Sequence, residues 1–175
     1  MKSWIAPVMA LMLAACGEPR TPPPAVVGNR AAPQDTRLMD ENRRMAGREE
    51  RDIREWLARQ GTAMVSTGTG LRYKLVRDVP GDTARPGQVA VINYAVFLLN
   101  GDTAYTSAPG GPASFRIEHA DVESGLHEGI QHLSVGDSAV LVIPSALAFG
   151  LVGDRDKIPM RSTVIYHVGL VALRP

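Results

Sequence analysis

The sequence predicts an α+β domain in which a twisted antiparallel sheet of about five strands wraps around one short helix, with another helix in front of it. Three observations predict this fold class. Apolar side chains recur every three or four residues between positions 36 and 60, as they do along a helix. From position 70 the period becomes two, which is typical of strands, and turn-forming residues separate the runs. Helical spacing returns over residues 122–133, and this mixture indicates an antiparallel sheet with a helix on one face.

The first helix is predicted over residues 36–61. Asp35 or Thr36 can cap its start, and Gly61 can end it. Its apolar stripe consists of Leu38, Met39, Met45, Ala46, Ile53, Trp56 and Leu57. The other face carries both signs of charge, on Arg43, Arg44, Arg48, Glu49, Glu50, Arg51, Asp52 and Glu55. Such a mixed face indicates a solvated surface, and pairing with a partner helix is the alternative.

The sheet domain is predicted over residues 70–175. Its strands are the runs Leu71–Val76, Gln88–Leu99, Ala104–Ser107, Ala113–Ile117, Ala139–Ile143 and Thr163–Leu173. Asn100-Gly101 predicts a tight hairpin after the long apolar run, and Ala108–Pro112 predicts a loop. The short helix lies between the strands, with Val122, Leu126, Ile130 and Leu133 on one face.

Residues 1–15 are predicted to be a signal peptide. Lys2 is followed by an apolar run shorter than the about 20 residues that span a membrane. The run ends in Leu13-Ala14-Ala15-Cys16, which resembles the lipobox of bacterial lipoproteins. The resemblance implies cleavage before Cys16 and acylation of that residue, which would anchor the chain in a membrane. A plain secretory signal with an incidental cysteine is the alternative.

Residues 16–35 follow as a tether. Prolines at positions 19, 22, 23, 24 and 33 favour an extended chain over packed structure. Gly17 follows the cysteine, where an aspartate would direct many lipoproteins to the inner membrane. By that resemblance we expect an outer-membrane lipoprotein whose domain faces the periplasm.

The composition excludes several kinds of protein. The chain has 19 Lys and Arg against 18 Asp and Glu, so it lacks the basic excess of a nucleic-acid binder. With Cys16 as its one cysteine, it forms no intrachain disulfide. His119, His127, His132 and His167 do not have metal-ligand spacing. We therefore expect no metal and no cofactor.

Four segments occur in a fixed order. They are Gly70–Lys74 with Pro86-Gly87 and Val91–Tyr94; Leu98–Gly101 with Tyr105–Ser107; Gly125–Ile130 with Val135–Asp137 and Ile143-Pro144; and Ala148–Gly150 with Ile158-Pro159 and Thr163–Tyr166. Together they resemble the FKBP-type peptidyl-prolyl cis-trans isomerases. The hairpin Tyr105–Ser107 and the runs His119–His127 and Ala148–Leu151 are further similar to the gliding-motility-associated lipoprotein isomerases of Bacteroidetes. The resemblance implies an FKBP-like fold and proline-containing polypeptides as clients.

The resemblance also implies the residues of a cleft. Its catalytic side chains would be Tyr94, Tyr105, Phe149 and Tyr166, and its substrate-binding side chains would be Phe115, Val122, Glu123, Leu126 and Ile158. The period of two places Tyr94 on one strand face with Ile92 and Val96, and Tyr166 with Val164 and Val168. The implied chemistry needs no nucleophile, metal or acid–base pair.

Four of these positions depart from the family pattern. Leu126 replaces a tryptophan floor, Phe149 replaces a tyrosine that binds the peptide carbonyl, Ala104-Tyr105 replaces Phe-Asp, and Glu123 replaces an isoleucine. We therefore expect weak isomerase activity and poor binding of tacrolimus-type macrolides. The alternatives are a binding module or chaperone in an outer-membrane assembly, such as gliding or secretion machinery, and a purely structural lipoprotein. An open apolar cleft beside Tyr94 and Tyr166 would favour the enzyme.

Overall fold

The computed structural model describes residues 33–119 and 122–175. In chain order its elements are α1 (Pro33–Gln60), β1 (Val65–Ser66), β2 (Arg72–Arg77), β3 (Val89–Leu98), β4 (Thr103–Thr106), β5 (Ala113–Arg116), α2 (Ser124–Ile130), β6 (Ser138–Ile143), a 3₁₀ turn (Ser145–Leu147) and β7 (Val164–Arg174). The predicted fold class is confirmed. The predicted signal peptide, Cys16 and the tether up to residue 32 lie outside the described residues. Within them, no helix combines the length and the apolar character that a membrane span requires.

Three features differ from the prediction. α1 begins at Pro33, so Asp35 and Thr36 lie inside the helix and the predicted cap was wrong; the fixed φ of proline suits a first helical turn. α2 is shorter than predicted because Glu123 has an extended backbone and, at the other end, the Leu133 N–H donates to the Ile130 carbonyl, which tightens the chain into a 3₁₀-like turn. The sheet has seven strands rather than about five, and its two-residue strand β1 is too short to show a period.

The sheet is antiparallel throughout, with the strand order β1-β2-β6-β7-β3-β4 and with β5 paired to β3. The long strand β3 therefore contacts three others. Its first half pairs with β5, its second half pairs with β4, and β7 runs along its other edge. This arrangement brings side chains from three strands to the inner face of β3.

Each face of the sheet carries its own apolar cluster. On β7, Val164, Tyr166 and Val168 join the inner cluster with Leu126 of α2. Ile165, one residue out of phase, joins the outer cluster instead. The alternation follows from the period of two along a strand, and it confirms the predicted face shared by Tyr166, Val164 and Val168.

α2 lies unusually close to β6. A Cβ at Gly125 would be 2.2 Å from the Ile143 Cγ2, and a Cβ at Gly129 would be 2.4 Å from the Leu141 Cδ1. Glycine at both positions lets the helix backbone approach the strand. This approach fixes the height of α2, and with it the position of Leu126, above the sheet.

α1 covers part of the outer face. Ile53 is 1% exposed and packs with Val142 and Ile165. Trp56, Leu57, Met64, Phe97, Leu99 and Val140 surround this cluster. The C-terminal half of α1 is thus an integral layer of the fold, whereas Leu38 near its start is 60% exposed.

Two carboxylates of α1 also bind the sheet domain. Glu49 accepts hydrogen bonds from the Ser145 N–H at 2.6 Å, from the Ser145 hydroxyl at 2.9 Å and from the Thr163 hydroxyl at 2.6 Å. The Arg72 Nη2 donates to both oxygens of Glu50 at 2.7 Å. The predicted solvated face was therefore wrong for Glu49 and Glu50, because these carboxylates satisfy polar groups of the sheet domain.

Candidate active site

An apolar cleft opens on the inner face of the sheet between β3, β4, β5, β7 and the start of α2. Its volume is 220 Å³. It is lined by Ile92, Tyr94, Val96, Tyr105, Ala113, Ser114, Phe115, Val122, Glu123, Leu126, Phe149 and Tyr166. The period of two brings Ile92, Tyr94 and Val96 to the same side, as the sequence predicts.

Eight of the nine residues predicted for the cleft line it. Ile158 does not: it is 2% exposed and belongs to the core beneath the loop that follows Phe149. Its core neighbours include Tyr166 and Phe149, and its role as a wall of the cleft stays a prediction. Ala113 and Ser114 were missed, although the pairing of Ile92 with Ala113 and of Val91 with Ser114 brings β5 beside Tyr94.

The depth of the cleft is set by three buried residues. Leu126 is 3% exposed and Phe115 and Tyr166 are each 5% exposed. The rings of Tyr94 and Tyr166 are tilted by 42°, with centroids 6.2 Å apart, so they form a corner rather than a closed stack. Phe115 is supported from behind by an edge-on contact with His127, at 5.4 Å between ring centroids.

Tyr166 carries the one hydroxyl in the described residues that contacts Glu123. It lies 3.2 Å from each carboxylate oxygen. Burial, with the added negative charge and hydrogen bond of Glu123, raises the pKa of Tyr166 above its ordinary value. The hydroxyl therefore remains protonated and holds Glu123 against the cleft wall.

The opposite wall contains a second tyrosine–carboxylate contact. Tyr105 donates its hydroxyl to Asp154, and the Asp156 Oδ2 lies 3.4 Å from the same hydroxyl. The hydrogen bond to Asp154 is the main cause that raises the pKa of Tyr105 to about 12. Lys157 places its Nζ 5.0 Å from the centroid of the Tyr105 ring, a cation–π distance.

Asp154 organises the loop beside that wall. Burial acts to raise the pKa of Asp154, but the hydrogen bonds from Tyr105 and from the backbone N–H groups of Asp156 and Ile158 outweigh it and lower the pKa. Its Oδ1 accepts from Asp156 N at 2.9 Å and from Ile158 N at 2.8 Å. The alternating charges of residues 154–157 are typical of a solvated loop, so the hydrogen bonds that Asp154 makes within the loop could not be predicted from the sequence.

A larger groove of 790 Å³ lies between α1 and the loops around Leu99, Ser145 and Arg161. Its lining contains no aromatic side chain and includes Glu49 with its two hydroxyl partners. It lies on the far side of the sheet from Tyr94 and Tyr166. The smaller aromatic cleft is therefore the candidate active site.

The cleft offers binding rather than bond-breaking groups. Its described lining consists of apolar side chains, one serine, three tyrosines and one glutamate. Two of the three tyrosine hydroxyls are occupied by carboxylates of the chain. Such a site can take an apolar, ring-shaped group and exclude water from a neighbouring amide.

Comparison with known proteins agrees with this geometry. Residues 81–171 match the family described as FKBP-type peptidyl-prolyl cis-trans isomerase. The FKBP-type peptidyl-prolyl cis-trans isomerase FkpA of Escherichia coli (strain K12) is 34% identical over 128 residues, which cover 71% of this chain and 45% of that protein. FK506-binding protein 2 of Dictyostelium discoideum is 36% identical over 90 residues, covering 51% of this chain and 68% of that protein.

The crystal structure of FkpA from Escherichia coli superposes with a TM-score of 0.63 at 26% identity, and the match covers 83% of this chain and 75% of that one. The chain spans less than half the length of the FkpA sequences it matches. The family match takes in just over half of the chain and every residue that lines the cleft. This protein therefore belongs to the FKBP-type peptidyl-prolyl cis-trans isomerase family.

Proposed function

We propose that the chain catalyses cis-trans isomerisation of X-Pro bonds in polypeptides of the bacterial envelope and so assists their folding. The observation that carries the proposal is the open cleft between Tyr94 and Tyr166. Tyr105 and Glu123, the two side chains able to fill it, are instead held at its walls by Asp154 and Tyr166. A proline ring can therefore enter.

The mechanism follows from the electronic structure of the amide. The barrier to rotation is about 18–20 kcal/mol because resonance makes the bond partly double. When the amide twists, this resonance is lost and the carbonyl becomes less polar. An apolar cleft favours the twisted amide over the planar, water-bonded one, which is differential binding of the transition state. Each 1.36 kcal/mol of that difference accelerates exchange about tenfold.

Two features support a modest rate of isomerisation. Phe149 offers no hydroxyl to a substrate carbonyl. The hydroxyls of Tyr105 and Tyr166 already donate to Asp154 and Glu123. The 220 Å³ cleft is also smaller than the about 300–1,000 Å³ typical for drug-sized ligands, so we expect tacrolimus-type macrolides to bind poorly.

The test is NMR exchange spectroscopy on a proline peptide with the purified protein and with Tyr94→Ala. We expect catalysed exchange that falls at least tenfold in the variant, because Tyr94 forms one side of the open corner. Met160→Ala is the control, since Met160 is 67% exposed and lies outside the cleft lining. Absence of exchange with a folded protein would contradict the proposal.

A binding module or chaperone in an outer-membrane assembly, such as gliding or secretion machinery, is the second candidate. The missing hydroxyl at Phe149 favours it, because binding a peptide needs less from the cleft than twisting one. Suppression of aggregation of an unfolded client by both the protein and Tyr94→Ala, without exchange, would support this function. A tacrolimus titration in the same series tests the expected weak macrolide binding.

The proposed location is the periplasmic side of the outer membrane, through a lipid on Cys16. The Leu13–Cys16 motif and the proline-rich tether support it. Cys16→Ser should move the protein from the membrane fraction to the soluble periplasmic fraction, because the acylated residue is lost. Equal membrane association of the unaltered protein and of Cys16→Ser would contradict the lipid anchor but would not affect the isomerase proposal.

A further inference from the structure

Glu123 introduces a charge into an otherwise uncharged cleft. Among the lining residues that the structure describes, it brings the sole carboxylate. It stands directly before α2 with an extended backbone and is half-buried. Its side chain lies beside the corner formed by Tyr94 and Tyr166.

Nothing in the described part of the chain neutralises this carboxylate. No Lys, Arg or His nitrogen of those residues lies within 4.0 Å of it. Its hydrogen-bond partner there is the Tyr166 hydroxyl, whose single proton is shared between two oxygens at 3.2 Å. An ionised carboxylate has about four acceptor positions, so most of its capacity remains for a ligand.

The opposite wall does not compete for the same ligand. Both oxygens of Asp154 are engaged, Oδ1 by two backbone N–H groups and Oδ2 by Tyr105. The loop there carries Asp154 and Asp156 against Arg155 and Lys157, so its formal charges cancel. Among the described residues that line the cleft, Glu123 therefore carries the charge that a bound peptide meets.

We infer that Glu123 is a specificity-determining residue and that the cleft prefers clients with a lysine or arginine adjacent to the proline. The inference rests on the proposed isomerase function and names the substrate class of the same site. A proline ring enters the apolar corner while the neighbouring cationic side chain reaches Glu123. A glutamate at that neighbouring position is disfavoured by like charge. The raised pKa of Tyr166, caused by its burial and then by the Glu123 charge, agrees with a negative field at this point.

The experiment compares peptides that differ only beside the proline, with Lys, Leu or Glu before it in one set and after it in another. The kcat/KM values come from NMR exchange and the Kd values from peptide titration. At a partly exposed site, attraction of opposite charges and repulsion of like charges each change kcat/KM a few-fold. We therefore expect kcat/KM to be about tenfold higher for the Lys peptide than for the Glu peptide in one set. Added salt should reduce this ratio because it screens the charges.

Three variants identify the source of the preference. Glu123→Gln keeps an acceptor for Tyr166 but removes the charge, so the Lys-to-Glu ratio should fall to about twofold or less. Glu123→Lys should invert it. Glu128→Gln is the matched control, because Glu128 lies in α2 five residues after Glu123 but accepts from the Thr69 hydroxyl at 3.0 and 2.7 Å and does not line the cleft.

The outcomes separate the two proposals. Equal kcat/KM for Lys and Glu peptides, or a preference that persists in Glu123→Gln, overturns the inference while the isomerase proposal stands. If no peptide is isomerised, the isomerase proposal fails, and the ratio of the Kd values tests the preference for a cationic neighbour. Tighter binding of the Lys peptide than of the Glu peptide, lost in Glu123→Gln, supports that preference, and equal binding of the two peptides overturns it.

Discussion

Tyr105 shows how a single hydrogen bond ties the cleft to a loop. Its hydroxyl donates to Asp154, whose other oxygen caps the N–H groups of Asp156 and Ile158. One contact thus fixes a wall of the cleft and the loop that follows Phe149. This hydrogen bond needs a protonated Tyr105 hydroxyl and an ionised Asp154 carboxylate, so it has both an upper and a lower pH limit.

The upper limit is the ionisation of Tyr105. Its pKa is raised from 10.0 to about 12. A group whose pKa is higher in the folded than in the unfolded state stabilises the fold at pH values below its unfolded-state pKa, and this contribution is lost as pH rises through its folded-state pKa. We expect the contact to weaken between pH 10 and about 12. Ultraviolet titration of the phenolate, compared with Tyr105→Phe, measures this. An unshifted Tyr105 would contradict the contact.

The lower limit is the protonation of Asp154. Its pKa is lowered, so the contribution is present above the ordinary aspartate value of about 3.9 and is lost as pH falls below it. Asp154→Asn should remove this acid dependence and should also return the Tyr105 pKa toward its ordinary value. Loop stability followed by hydrogen exchange between neutral and acidic pH provides the measurement.

Among the elements, α2 makes the tightest approach, because Gly125 and Gly129 leave room for β6. We expect Gly125→Ala to lower the free energy of unfolding by about 1–3 kcal/mol, since the added Cβ overlaps Ile143 and overpacking costs that much. Urea unfolding measures it. Gly68→Ala is the control, because a Cβ there meets no described atom within 4 Å, and its stability should be unchanged or slightly raised. Equal stability of the two variants would mean that α2 moves freely off the sheet.

At the scale of the whole molecule, the sheet is stabilised from both faces. Ile53→Ala should cost about 2–5 kcal/mol of unfolding free energy, because a buried isoleucine is replaced by a cavity in the outer cluster. Leu38→Ala, on the same helix but 60% exposed, should cost less than about 0.5 kcal/mol. Thermal unfolding of both variants provides the comparison. Similar effects at the two positions would contradict the docking of α1.

Periodicity explains why much of this could be predicted. Alternation along β3 and β7 assigned Tyr94 and Tyr166 to one strand face each, and the resemblance to the FKBP family supplied the other walls. A loop has no period, so the burial of Ile158 in the core could not be foreseen. Glu49 was equally hidden, because a glutamate in a run of charges has the same sequence pattern whether water or Ser145 satisfies it.

The position of β7 has a consequence for how the chain acquires its shape. β7 follows every other strand in the sequence, yet it lies in the interior of the sheet between β6 and β3. It joins residues as distant as Val89 and Arg174, and such non-local pairings slow folding. A chain that emerges N-terminus first must therefore keep β3 and β6 unjoined until β7 arrives. Tyr166 arrives with it, so the cleft is assembled in the same step that closes the sheet.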